Sequence, residues 1–160
     1  MSGDDERLFA LAPQFFKHKA DLTRSLMGFG FNIGPGWKPL VEELSKYIAH
    51  KSKRWSEVVE IKKRLEGAEK NIEEDYPWIT DYFKRYPSDP FIGFEIVQVK
   101  EKFGGLRFYC HGGTEEVHGA IHFAEQLSYR ICEECGCPGE LRTANRSWIR
   151  TLCDKHAKEA

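Results

Sequence analysis

Apolar positions recur at helical spacing in the first and last thirds of the chain and alternate in a stretch between them. Residues 5–19 give a moderate helical pattern that Pro13 interrupts. Trp37, Leu40, Val41, Leu44, Tyr47 and Ile48 then define an amphipathic helix, with Pro39 in its first turn, where proline is tolerated. Residues 51–74 are strongly charged, and Trp55, Val58, Val59 and Leu65 fit one side of a second, more exposed helix ended by Pro77. Trp78, Ile79, Tyr82, Phe83 and Tyr86 predict a short aromatic helix. From Phe91 the period changes. Apolar and polar residues alternate on both sides of Gly104-Gly105, which predicts a β-hairpin over 93–111. Glu95, Val97 and Val99 fall on one face, as do Leu106, Phe108 and Cys110. Thr114 is an N-cap candidate for a helix over 115–131, with Glu115 and Glu116 favoured by the helix dipole.

Between the first two helical patterns, Gly28 to Trp37 holds four glycines, one proline and three aromatics. It reads as an ordered loop with aromatic anchors. No internal repeat or low-complexity tract interrupts the chain.

Composition adds two constraints. The 160 residues are 41% hydrophobic and 13% aromatic, enough for a packed core in one domain with a small appended module. The formal net charge of -1, from 24 basic and 25 acidic residues, gives no global attraction to nucleic acid or membrane. No apolar run approaches the roughly 18 residues needed to span a bilayer. The acidic start of the chain does not read as a signal peptide. The expected location is therefore the cytoplasm, where five cysteines suggest metal ligands before disulfides.

Four of those cysteines lie after position 130. Cys132-x2-Cys135 is followed, after 17 intervening residues, by Cys153-x2-His156. Two intervening residues bring both members of each pair to one side of a turn, so the pairs can share an ion. Three thiolates and one imidazole suit tetrahedral zinc and fill its coordination shell, which predicts one structural Zn2+ rather than a catalytic one. Cys137 is an alternative to Cys135. Gly136 suits a tight knuckle, the segments around Ala144-Asn145 suit a hairpin, and residues 154–160 suit a short helix carrying His156. That order resembles the treble-clef zinc architecture. The expected fold is α+β, with residues 1–130 as an α+β domain and 131–160 as the zinc module.

Other candidates for chemistry are weaker. His118 and His122 are four apart on a predicted helix, but Gly119 stands where a metalloprotease would carry its glutamate. The glycines at 28, 30, 34 and 36 match neither the dinucleotide nor the P-loop pattern. Nucleic-acid or partner contacts are conceivable at Lys53, Arg54 and Trp55, and at Arg142, Arg146, Trp148 and Arg150. Acidic residues are mixed through both regions, which favours salt-bridged helix faces. A treble-clef nuclease would need a histidine on the hairpin, and none is there.

Three blocks carry a resemblance: GFGFNIGPGWKPLVEEL, QVKEKFGGLRFY and ICEECGCPGELR followed by WIRTLCDKH. Together they are similar to a group of small proteins found in phages, prophages and bacteria, over roughly residues 26–48 and 96–157. The resemblance implies zinc held by Cys132, Cys135, Cys153 and His156 and a phage or mobile-element setting. It supplies no reaction. The leading expectation is a non-enzymatic protein that binds a host or phage macromolecule and inhibits a component of host defence or replication. The alternatives are a DNA- or RNA-binding zinc protein and, less favoured, a metal-dependent nuclease.

Overall fold

The computed structural model describes residues 3–144 and 148–159. Its architecture is α+β, with two small antiparallel sheets among helices. α1 (Gly3–Leu11) ends before Pro13, which opens a short 3-10 turn, Pro13–Phe15. Two more 3-10 turns, Leu26–Phe29 and Pro35–Trp37, shape the glycine-rich segment. α2 runs from Lys38 to Gly67, α3 from Ile72 to Asp75 and α4 from Pro77 to Arg85.

The two helices expected over 37–48 and 51–74 are one. No proline or glycine lies between Pro39 and Gly67, so nothing breaks the backbone ladder at His50–Lys51. Ion pairs one turn apart, Lys46–Glu42, Arg64–Glu60 and Lys62–Glu66, support the exposed surface. The first half of α2 places Val41, Leu44 and Ile48 in the main core. The second half serves a separate aromatic cluster, where Trp55 meets Tyr82, Phe83 and Tyr86 of the α4 region.

β1 (Glu95–Lys102) and β2 (Gly105–His111) form the predicted hairpin. The expected face of Glu95, Val97 and Val99 is corrected by a bulge between Ile96 and Gln98. An extra residue on one strand reverses the alternation across it. Ile96 and Val99 consequently both reach the core, and Val97 does not. Leu106 and Phe108 pack opposite them as expected, with Cys110 half-buried behind.

Neither edge of this two-stranded sheet is left open. Asn32 pairs with β1, its N–H donating to Val99 O at 3.0 Å and its carbonyl accepting from Glu101 N at 2.9 Å. On the other edge, Leu106 N donates to Ser128 Oγ at 2.8 Å and Phe108 N to Glu125 Oε1 at 2.9 Å. Both acceptors lie on α5 (Glu115–Ser128), so the helix covers the core and satisfies the strand edge at once. Thr114 caps α5, its side chain accepting from Val117 N at 3.2 Å. The N-terminal segment is tied to the sheet by Glu95, whose carboxylate receives His18 N at 2.9 Å and lies 2.8 Å from His18 Nδ1.

The chain closes with β3 (Glu140–Ala144), β4 (Trp148–Leu152) and α6 (Asp154–Glu159). β3 and β4 pair antiparallel as the expected hairpin. Among the described residues, no helix is long and apolar enough to cross a membrane.

Candidate metal centre

The first ligand pair sits in a knuckle built from backbone hydrogen bonds. Ile131 and Pro138 bridge as an antiparallel pair. Within that bridge Cys132 N donates to Cys137 O at 2.7 Å, and Gly136 N to Cys132 O at 2.9 Å. Gly136 adopts φ +77°, a conformation glycine reaches without steric cost. The second pair comes from the end of β4 and the first turn of α6, with Ala157 N bonded to Cys153 O at 2.9 Å.

These elements bring four donor atoms together. Cys132 Sγ, Cys135 Sγ, Cys153 Sγ and a ring nitrogen of His156 all lie within 4.8 Å of one another. His156 Nδ1 is 3.5 Å from Cys132 Sγ and 3.3 Å from Cys153 Sγ, and Cys135 Sγ is 3.8 Å from Cys153 Sγ. A tetrahedral ion with bonds of about 2.3 Å to sulfur and about 2.0 Å to nitrogen would separate sulfurs by about 3.8 Å and sulfur from nitrogen by about 3.5 Å. These three edges lie close to those figures, within a group whose overall spread is 4.8 Å. They do not match a disulfide, whose sulfurs lie only about 2.05 Å apart. Cys137 is exposed and lies outside the four-donor group. Cys110 is half-buried on β2, and burial, with the Glu125 carboxylate, pushes its thiol up to about 11.

The electrostatics of the four groups are compatible with a bound cation. Burial opposes a thiolate at Cys132, but backbone N–H groups of Cys153, Cys135 and Glu134, with the His156 ring, outweigh it and hold the thiol down at about 6. The backbone N–H of His156 likewise lowers Cys153. At Cys135 the Cys137 N–H favours the thiolate, yet desolvation and the sulfurs of Cys132, Cys137 and Cys153 push it up to about 12. Three sulfurs this close cannot all ionise by themselves, because each negative charge raises the cost of the next. A divalent cation removes that repulsion, and its binding would release protons.

Docking of the knuckle depends on the glycine-rich loop. Gly36 N donates to Glu133 O at 2.7 Å, Gly34 N to Glu133 Oε1 at 3.2 Å, and Trp37 Nε1 to Ile131 O at 2.8 Å. A Cβ at Gly36 would fall 2.2 Å from Cys132 O and 2.4 Å from Gly136 N, so only glycine allows the approach. The β1–β2 turn makes a second contact, with Thr151 Oγ1 donating to Gly104 O at 2.6 Å. The sequence read this loop as ordered. Its role in holding the ligands was signalled only by glycines at 34 and 36, without a known docking partner.

The remaining predicted contacts separate clearly. Trp55 is only 4% exposed and packed among aromatic rings, which overturns it as a base-stacking residue. Its spacing on α2 served the satellite core instead. Lys53 and Arg54 are exposed beside Glu57, each 4.0 Å from its carboxylate. Arg142 binds Asp154 Oδ1 at 2.6 Å and lies 3.7 Å from Glu140. Arg150 pairs with Glu133 at 3.3 Å and also with Glu134. These two arginines brace the metal module internally. Trp148 is 64% exposed, and Arg146 lies outside the described residues. His118 and His122 are exposed on α5, with His118 Nε2 2.9 Å from Gly112 O. Comparison of the chain with protein-family models, curated proteins and solved structures gave no match.

Proposed function

We propose that this chain is a non-enzymatic binding protein whose C-terminal segment is held by one structural zinc ion. The observation that carries the reading is the donor set: three thiols and one imidazole at tetrahedral spacing. Thiolate and imidazole ligands suit zinc, and four of them leave no coordination position for water or substrate. The ion therefore acts on folding rather than on chemistry. It joins the knuckle, the β3–β4 hairpin and α6, which share few apolar side chains of their own.

The resemblance of the three sequence blocks to small phage and prophage proteins supports a setting in the bacterial cytoplasm. There the chain would occupy a host or phage macromolecule, such as a component of host defence or replication. The alternative of nucleic-acid binding through the zinc hairpin loses support from the ion-paired state of Arg142 and Arg150.

The test is capture from bacterial lysate with the zinc-loaded chain, with and without nuclease treatment. The expected result is one macromolecule specifically retained by the zinc-loaded chain, surviving nuclease treatment if it is a protein and lost if it is a nucleic acid. No specific retention, with or without nuclease, would contradict the reading.

A further inference from the structure

The outer face of the β1–β2 hairpin carries a charge pattern that the fold alone does not explain. Lys100 and Arg107 are cross-strand partners, so two cations stand directly opposite each other. Like charges at such positions destabilise a sheet. Lys102 follows Lys100 on the same face. Neither lysine, nor Arg107, forms an ion pair with a carboxylate among the described residues. The two lysines turn to aromatic rings instead. Lys100 Nζ lies 5.6 Å from the Tyr109 ring centroid and Lys102 Nζ 5.4 Å from that of Phe103, while the Arg107 guanidinium donates to Tyr129 Oη at 2.8 Å and to Leu106 O at 2.7 Å. This contrasts with Arg142 and Arg150 on the neighbouring hairpin, which are both committed to acids.

A second anomaly lies at the tip. Lys102 pairs with Gly105, leaving a two-residue turn, Phe103-Gly104, with φ of +54° and +74°. Both residues are left-handed, as a type I′ turn requires, and such turns favour Asn-Gly. A bulky aromatic at the first position is sterically disfavoured. Phe103 is nevertheless there and 66% exposed, so burial does not compensate for the strain. Tyr109, on the cationic face, is 40% exposed.

We infer that this face, formed by Lys100, Lys102, Phe103, Arg107 and Tyr109, binds single-stranded nucleic acid. Phosphates would relieve the repulsion between Lys100 and Arg107, and unpaired bases would stack on Phe103 and Tyr109. A duplex keeps its bases stacked on each other and offers the two rings nothing. The inference rests on the binding-protein reading above and names its partner class.

The test is fluorescence anisotropy of the zinc-loaded full chain with labelled single-stranded DNA, single-stranded RNA and a matching duplex, over a salt series. A single strand of either sugar type should bind more tightly than the duplex. Three phosphate contacts predict a fall in log affinity with log salt of slope about -2. Tyr109→Ala should weaken binding at least about five-fold. Lys100→Glu and Phe103→Asn provide the sharper readout. The first replaces a like-charge pair with an opposite one, and the second installs the preferred turn residue. Each should raise Tm while weakening binding, which no purely structural role would produce. Lys63→Glu, near the C-terminal end of α2, with Lys70→Glu, just beyond it, should leave affinity unchanged. Absence of binding at low salt, equal affinity for the duplex, or insensitivity to Tyr109→Ala and Lys100→Glu would overturn the inference. Lysate capture of a protein, sensitive to Lys100→Glu, with no affinity for either oligonucleotide, would also overturn it while leaving the binding-protein reading intact.

Discussion

Individual side chains around the knuckle have sharply different tolerances. Gly36 faces backbone atoms, and backbone cannot turn aside as a flexible side chain can. Gly36→Ala should therefore separate the loop from the knuckle and cost about 3 kcal/mol, read as a lowered urea midpoint. Cys137→Ser should change neither stability nor metal content, since Cys137 stands outside the four-donor group. Glu95 gives a prediction of a different kind. Burial alone would raise its carboxyl, but the hydrogen bonds from His18 outweigh burial and hold it below its ordinary 4.5. A carboxylate lowered in the folded state stabilises fully above its unfolded value and loses that contribution as pH falls through its folded value. Acidification should then weaken the attachment of the N-terminal segment to β1. Urea midpoints followed from about pH 7 to about pH 3 should fall less steeply in Glu95→Gln than in the unaltered chain. Parallel slopes would show that the His18 contact carries no weight.

Among the elements, α5 has a double role: it covers the core with Val117, Ile121 and Ala124 and closes the β2 edge with Ser128 and Glu125. Ser128→Ala would strand the buried Leu106 N–H without an acceptor. That should cost about 1–3 kcal/mol, detectable in the urea midpoint and in faster amide exchange at Leu106. The periodic pattern of α5 and its Thr114 cap were plain in the sequence, and so was the β1–β2 hairpin. The bulge at Val97 was not, because one extra residue in a strand leaves no mark on composition or turn signals. The continuity of α2 was also obscured. Its apolar stripe shifts between two clusters, the main core at Val41–Ile48 and the aromatic cluster at Trp55, and the shift resembles a break. Trp55 shows the same difficulty at one residue: a tryptophan among lysines suits stacking on a base as well as packing against Tyr82, and only the position of α4 decides.

For the whole molecule, the metal module is joined to the rest by hydrogen bonds to two distant loops, Gly34–Trp37 and Gly104. The ligands themselves were legible from spacing alone, since two x2 pairs fix the local geometry of each half. The surface that receives the module was not legible, because a glycine reveals close approach without naming what approaches. This arrangement makes metal loss a tertiary event. Stripping the ion should release β3, β4 and α6 and loosen the Gly36 contact, while the hairpin and α5 stay folded around their own core. Amide exchange should then rise sharply over residues 131–159 and modestly over 34–37, and remain low in α5.

The central claim is that Cys132, Cys135, Cys153 and His156 hold one ion in a closed tetrahedral shell. Titration of the metal-free chain with Co2+, followed by visible absorption and then displacement with Zn2+, tests it most directly. The account predicts saturation at one equivalent, the strong d–d absorption of a tetrahedral thiolate centre, and its loss on adding zinc. Cys153→Ser should alter or abolish that spectrum, whereas Cys137→Ser should preserve it. A weak octahedral spectrum, or a tetrahedral one that survives Cys153→Ser and disappears with Cys137→Ser, would contradict the assignment.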